Sequence, residues 1–264
     1  MKRIVMAATL GAALLIAGAP AAADWDDGDP VKMHFPQHPD PNGWDVTGGS
    51  SQLCDDFQCI QTGYIKDVHL WGSWKGDREA SIVQITLFLY GNLEPNTAAN
   101  PYLWSMPGDL IDSITIPSTD WTIRPWPGGD QGWYYPGDGL NNEPNIIRYD
   151  HQMTHQINIK IDDPNWYQVK DEIYWLGVWV VPEDASDPNM QAYWGWKTSL
   201  EHFMDDAVYY GVIPGTSLWT WLPLEDPYTG QTLDLAFVIT PEPITAALLV
   251  GGGGALLFRK RRRR

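Results

Sequence analysis

Three clusters and one long segment hold the residue types that could do chemistry. Glu201, Asp205 and Asp206 lie near Trp194 and Trp196, the mix of carboxylates and flat rings found where glycosidic bonds are cut. Such an enzyme needs two carboxyls about 5–9.5 Å apart across the sugar, but acid pairs are also expected by chance in so acidic a chain. His151 and His155 have helical metal spacing. However, Gln152 stands where an H-E-x-x-H site needs Glu, and the flanks alternate like a strand, which sets the two about 13 Å apart. They read as solvated strand histidines, with no metal role. The acidic run DWDDGDP (24–30) misses the EF-hand pattern, because Gly28 is misplaced and no Glu follows at the required distance. The segment RPWPGGDQGWYYPGDGLNNEP (124–144) carries Trp126, Trp133, Tyr134 and Tyr135. These rings could stack on sugar faces beside Asp and Asn, or fold back over the edge of a sheet. No nucleophile elbow, phosphate loop or dinucleotide fingerprint is present.

The elements that must position these residues read as strands. QINIKI (156–161) alternates, with Ile157, Ile159 and Ile161 on one face. TLDLAFVI (232–239) does the same. SIVQITLFLY (81–90) points Val83, Ile85, Leu87 and Leu89 inward, and EIYWLGVWVV (172–181), apolar on both faces, reads as a central strand. Further β-branched or aromatic runs bring the number to nine or more, separated by Gly and Pro breakers. The one helix candidate is TSLEHFMDD (198–206), about two turns long. The expected fold is all-β, an antiparallel sandwich of jelly-roll type. Residues 124–144 read as one long functional loop.

The two ends are written differently from the middle. Lys2 and Arg3, then the apolar run 4–17, then Ala21-Ala22-Ala23 make residues 1–23 a secretory signal peptide, cut before Asp24. Residues 24–240 hold 32 of the 33 acidic residues against nine Lys and Arg, a formal charge of −23. Such a body repels nucleic acid and anionic headgroups, and calcium on its surface stays an open alternative. In an exported chain, Cys54 and Cys59 are expected to close a small disulfide ring. At the other end, 15 apolar or neutral residues (244–258) span about 22 Å as a helix, short of the roughly 30 Å hydrocarbon core. Four glycines weaken that span, and Arg259, Lys260, Arg261, Arg262, Arg263 and Arg264 stop it from crossing.

Pro241-Glu242-Pro243, the apolar run and the basic cluster together resemble the PEP-CTERM sorting signal of exported bacterial proteins. That resemblance covers residues 241–264. It implies recognition by an exosortase-type membrane processing enzyme, with the export machinery upstream and the cell surface or its polysaccharide matrix as destination. The body, roughly 50–239, is similar to an uncharacterised domain of planctomycete-type PEP-CTERM proteins, through CDDFQC, DVHLWGSWKGD, SMPGDLI, NWYQVKDEIYWLGVWV, WGWKTS, MDDAVYY and LDLAFVIT. That domain has no assigned activity, so it supplies no catalytic residue. The sequence therefore leads to an exported, non-enzymatic, surface- or matrix-associated protein with no required cofactor. A carbohydrate-binding module, calcium-assisted or not, is the alternative, and a glycoside-active enzyme comes third.

Overall fold

The computed structural model describes residues 24–48, 52–136, 145–183 and 193–241. Residues 1–23, expected to be a signal peptide, and Glu242, Pro243, the short apolar span and the basic cluster lie outside the described residues. Among the described residues no helix is long and apolar enough to cross a membrane.

The described chain is all-β. In order its strands are β1 (Trp44–Val46), β2 (Leu53–Gln58), β3 (Gly63–Tyr64), β4 (Asp67–Trp74), β5 (Ile82–Leu93), β6 (Met106–Ile116), β7 (Trp121–Trp126) and β8 (Gln131–Tyr134). They continue as β9 (Ile146–His151), β10 (Thr154–Lys160), β11 (Tyr167–Gln168), β12 (Ile173–Pro182), β13 (Trp194–Lys197), β14 (Val208–Val212), β15 (Trp219–Pro223) and β16 (Phe237–Thr240). One sheet runs β7-β10-β4-β13-β1-β8-β9, with β16 also paired to β4. A second runs β15-β14-β2-β12-β5-β6, and β3 pairs with β11. Pairing is antiparallel except between β1 and β8, which run parallel. That pair departs from the expected all-antiparallel sheet.

One hydrophobic core joins the two large sheets. Val68, Leu70, Ile157 and Ile159 of the first meet Leu87, Leu89, Leu176 and Val178 of the second, as alternating strands require when one face is buried. β12 lies between β2 and β5, with Leu176 and Val178 in the main core and Trp175 packed with Cys54 and Val208 on the other side, which accounts for its apolar residues on both faces. The period breaks at one place. Val83, expected inside, is 63% exposed, whereas Ile82 is buried. A register shift opposite Val181 and Pro182 inserts one residue, and a bulge of that kind turns the next side chain outward.

Three other expectations change. Residues 198–206 form no helix, only isolated bridge and bend geometry. The segment 124–144 is not one loop, since β7 and β8 occupy much of its described part. Cys54 and Cys59 are both buried free thiols. Cys54 lies in β2 and Cys59 follows it in a bridge to Met33. An odd separation along extended backbone sends two side chains to opposite faces, about 17 Å apart, well beyond disulfide reach. Cys59 accordingly joins the main core, while Cys54 packs with Trp175 and Val208 on the other side of the sheet.

Candidate functional site

Four buried polar side chains tie together the strands that end at one cleft. Asp45 of β1 accepts from His151 Nε2 at 2.7 Å and from Lys197 Nζ at 2.9 Å. Lys197 also donates to Gln131 Oε1 at 2.6 Å, and His151 Nδ1 donates to Asp150 at 3.0 Å. The side chains of Asp45, His151 and Lys197 are shut off from solvent. Burial alone would lower the pKa of His151, but Asp150 and Asp45 outweigh it and raise it to about 9. Burial would raise Asp45; Lys197 and His151 hold it low instead. Two anions thus balance two cations, as a buried network requires.

Each member of that network stands beside residues lining a cleft of about 480 Å³. Asp40, Asn42, Gly43 and Trp44 precede Asp45; Asp130 and Gly132 flank Gln131; Arg148 and Tyr149 precede His151; Thr198, Ser199 and Leu200 follow Lys197. His202, Asp226 and residues 231–233 complete the lining. Asp226 organises the last loop. Its Oδ1 accepts from the amides of Tyr228 and Thr229, while its Oδ2 accepts from Trp44 Nε1 at 2.6 Å. Tyr228 consequently stacks on Trp44, centroids 5.8 Å apart at 18°, and the Arg148 guanidinium lies 3.9 Å from the Tyr228 ring centre. Gly132 is required here, because a Cβ on it would meet the Trp44 ring at 2.3 Å. Tyr149, exposed at the rim, is held at φ 55°, a conformation that a non-glycine residue adopts only under constraint.

Beside the cleft lies a knot of carboxylates. Asp55 is satisfied by the amide of Leu235 at 2.6 Å and by Gln37. Asp56, fully buried, has no side-chain donor; the backbone amide of Asp205 is the one group that favours its charged form. Burial, then Asp234, pushes its pKa up to about 9. Asp234 accepts from the amide of Phe203 through Oδ2, and its Oδ1 has only His202 Nδ1, 3.4 Å away. His202, Asp206 and Asp234 bring one ligand-type atom each within 4.8 Å of one another.

A third feature lies on the outer face of the six-stranded sheet. Trp219, Tyr210, Trp221, Tyr90 and Phe88 form a chain of ring contacts with centroids 5.2 to 6.4 Å apart. Trp219 and Tyr210 are exposed.

The residues singled out in the sequence are distributed otherwise. Trp133 and Tyr135 are buried, and Trp126 packs edge-on against Trp71 at 5.3 Å. Tyr134, half-buried, alone comes near the cleft, edge-on to Trp44 at 6.1 Å. The four rings cover the sheet and do not form a shared binding face. Trp194 and Trp196 are core residues. Glu201 is held by His38 at 2.8 Å and Asp205 by the Ser105 hydroxyl at 2.5 Å, so those two carboxylates fix loops. His151 and His155 are buried, not solvated. The 24–30 run is anchored through Trp25, which is also buried. The sequence reading missed Trp44, Arg148, Asp226 and Tyr228. One signal for them existed: Arg148 and Lys197 are two of only nine cations in the acidic body, and both stand at the cleft or beneath it.

The pattern of the family described as a domain of unknown function (DUF7901) matches residues 33–240. The chain belongs to that family. The matched span begins at Met33, which bridges to Cys59, and closes at the end of β16. The matched span covers every residue of the cleft, the buried network and the carboxylate knot. No curated protein and no solved structure matches the chain.

Proposed function

We propose that this is an exported, non-enzymatic protein of the cell surface or its matrix, which holds extracellular polysaccharide in the cleft lined by Trp44 and Arg148, beside the Tyr228 ring that packs against both. In this reading the body is a jelly-roll-like sandwich with one parallel pair. Residues 1–23 direct export, and the tail from Pro241 is handed to an exosortase-type enzyme. The observation that carries the binding role is the stacked Trp44–Tyr228–Arg148 column, set among Asp40, Asn42, Asp130 and Gln231. A sugar ring offers an apolar face for the aromatic side chain and hydroxyls for carboxylates and amides. Asp40 accepts from the amide of Asn42 and Asp130 from Gln152, so those two carboxylates need little ordering on binding.

Affinity electrophoresis in neutral and acidic polysaccharides tests the cleft. Tyr228→Ala and Arg148→Ala are each expected to weaken retention about ten-fold, the loss of one well-placed ring or cation–π contact. Trp219→Ala should leave it within about two-fold, because that ring belongs to the outer sheet face. Retention lost through Trp219→Ala and kept in Tyr228→Ala would move the ligand to the sheet and overturn the cleft assignment. Intact mass tests the sorting role separately. Protein recovered from cells carrying the processing enzyme is expected to begin at Asp24 and to lack the basic cluster. A full-length C-terminus there would overturn that half of the proposal.

A further inference from the structure

We infer that His202, Asp206 and Asp234 form a binding site for one divalent transition cation of zinc-like ligand preference. The inference stands apart from sugar binding and needs no sugar. It rests on two independent observations. The first is geometric: one atom from each of the three side chains lies within 4.8 Å of the others. Ligand atoms around an ion at about 2.1 Å stand about 3.0–3.4 Å apart, so a small closure suffices, and the exposed His202 ring can turn to make it. The second is an unmet electrostatic demand. Asp234 is 1% exposed, and its Oδ1 has nothing closer than a 3.4 Å contact to His202 Nδ1, itself a member of the cluster. Behind it Asp56, close enough to feel the charges of Asp234, Asp205 and Asp206, has no side-chain donor and only the backbone amide of Asp205 to favour its charge. Buried carboxyls in native proteins are hydrogen-bonded, paired or hold metals, and at Asp206 and Asp234 the one cationic group among the leading influences is His202 of the same cluster, with no Lys or Arg among them there or at Asp56.

The donor set selects the ion. One imidazole nitrogen with two carboxylates suits zinc, and manganese less well. Calcium prefers six to eight oxygens and gains nothing from the imidazole. Three protein ligands leave at least one position open, and His202 also lines the cleft, so the ion would border it.

The test titrates the purified chain, stripped with chelator, with Zn²⁺, Mn²⁺ or Ca²⁺ alone, read by calorimetry and thermal unfolding. The expected result is one Zn²⁺ per chain and a rise in Tm of about 5 °C at a hundred-fold excess over Kd, with Ca²⁺ producing no shift at the same concentration. His202→Ala removes only an exposed ring and should weaken Zn²⁺ binding at least ten-fold. Asp234→Asn keeps a carbonyl for the amide of Phe203, removes one buried charge and should abolish the Zn²⁺ shift while leaving the apo Tm equal or higher. Absence of stoichiometric Zn²⁺ binding, Zn²⁺ binding unchanged in His202→Ala, or tighter binding of Ca²⁺ than of Zn²⁺ would each overturn the inference.

Discussion

Asp45→Asn is expected to lower the unfolding free energy by about 3–5 kcal/mol, seen as a fall in the urea midpoint. The substitution keeps the shape of the side chain and removes only its charge. Lys197 would then be left buried with Gln131 Oε1 and the carbonyl of Gly43, all neutral. Its neighbour His151 would lose the partner at 2.7 Å and keep only Asp150. Two cations without a central anion in a dry interior are the situation in which removing one partner is most destabilising. Against a total stability of about 5–15 kcal/mol, such a loss is large. The network also spans β1, β8, β9 and β13, so sugar retention at the cleft should fall with it.

The same variant has a signature in pH. His151 titrates near 9 in the fold against about 6.5 in the unfolded chain. A raised pKa means that its pairing contributes fully below about 6.5 and is lost as pH rises through about 9. The groups around it are Asp45, Asp150 and Lys197, with Lys75 acting on Asp150. The wild-type midpoint should therefore decline across that window, and Asp45→Asn should flatten the decline. A change under about 1 kcal/mol, with the slope intact, would mean that the network carries no stability.

Trp25→Ala is expected to cost about 3–5 kcal/mol, as for other fully buried large aromatics. The residue lies within the acidic run 24–30, yet it is 1% exposed and its ring meets Trp71 edge-on at 5.7 Å. The backbone around it is pinned as well. The Arg124 guanidinium donates to the Trp25 carbonyl at 2.6 Å and to Asp26 at 2.7 Å, and Gln156 donates to the same carbonyl at 2.8 Å. Asn158 donates to Asp24. Trp25 thus covers β10 on the face opposite Ile157 and Ile159, which explains why Gln156 and Asn158 are also buried. Asp27→Ala, at an exposed position, should stay within about 0.5 kcal/mol. Equal effects from the two substitutions, measured by urea unfolding, would contradict this anchoring.

Much of the architecture was legible because alternation is imposed directly by the strand. β10, β5 and β12 announce themselves through Ile157 and Ile159, Ile85 to Leu89, and the doubly apolar 172–181 run. β7 and β8 were concealed by their breakers, and each breaker has a local reason. Pro125 is tolerated because β7 stands at the edge of its sheet, where a missing N–H does no harm. Gly132 sits in β8 because the Trp44 ring lies against it. Val83 was misread because the bulge depends on the partner strand. The cysteine ring failed for a reason that parity along a strand could have supplied. The cleft was illegible for a different reason. Its walls come from five stretches between Asp40 and Leu233, brought together only when the sheets form, so no window of sequence contains a motif. The two acids of LCDDFQ were the visible oddity, charges set inside an otherwise apolar strand.

The last strand has a consequence for how this molecule comes into being. β16 inserts against β4, and the earliest described stretch is stitched to it: the amide of Lys32 reaches the carbonyl of Ile239 at 2.7 Å, and Gln37 that of Phe237 at 3.2 Å. Head and heel of the body therefore meet side by side, some two hundred residues apart along the chain. A nascent polypeptide halted before Leu235 leaves β4 with a bare flank and residues 32–37 with nothing to zip onto. Assembly must wait for nearly the whole body to be synthesised, a slow route by its long-range pairing. Prematurely terminated copies, with apolar edges open, would be conspicuous to quality-control proteases.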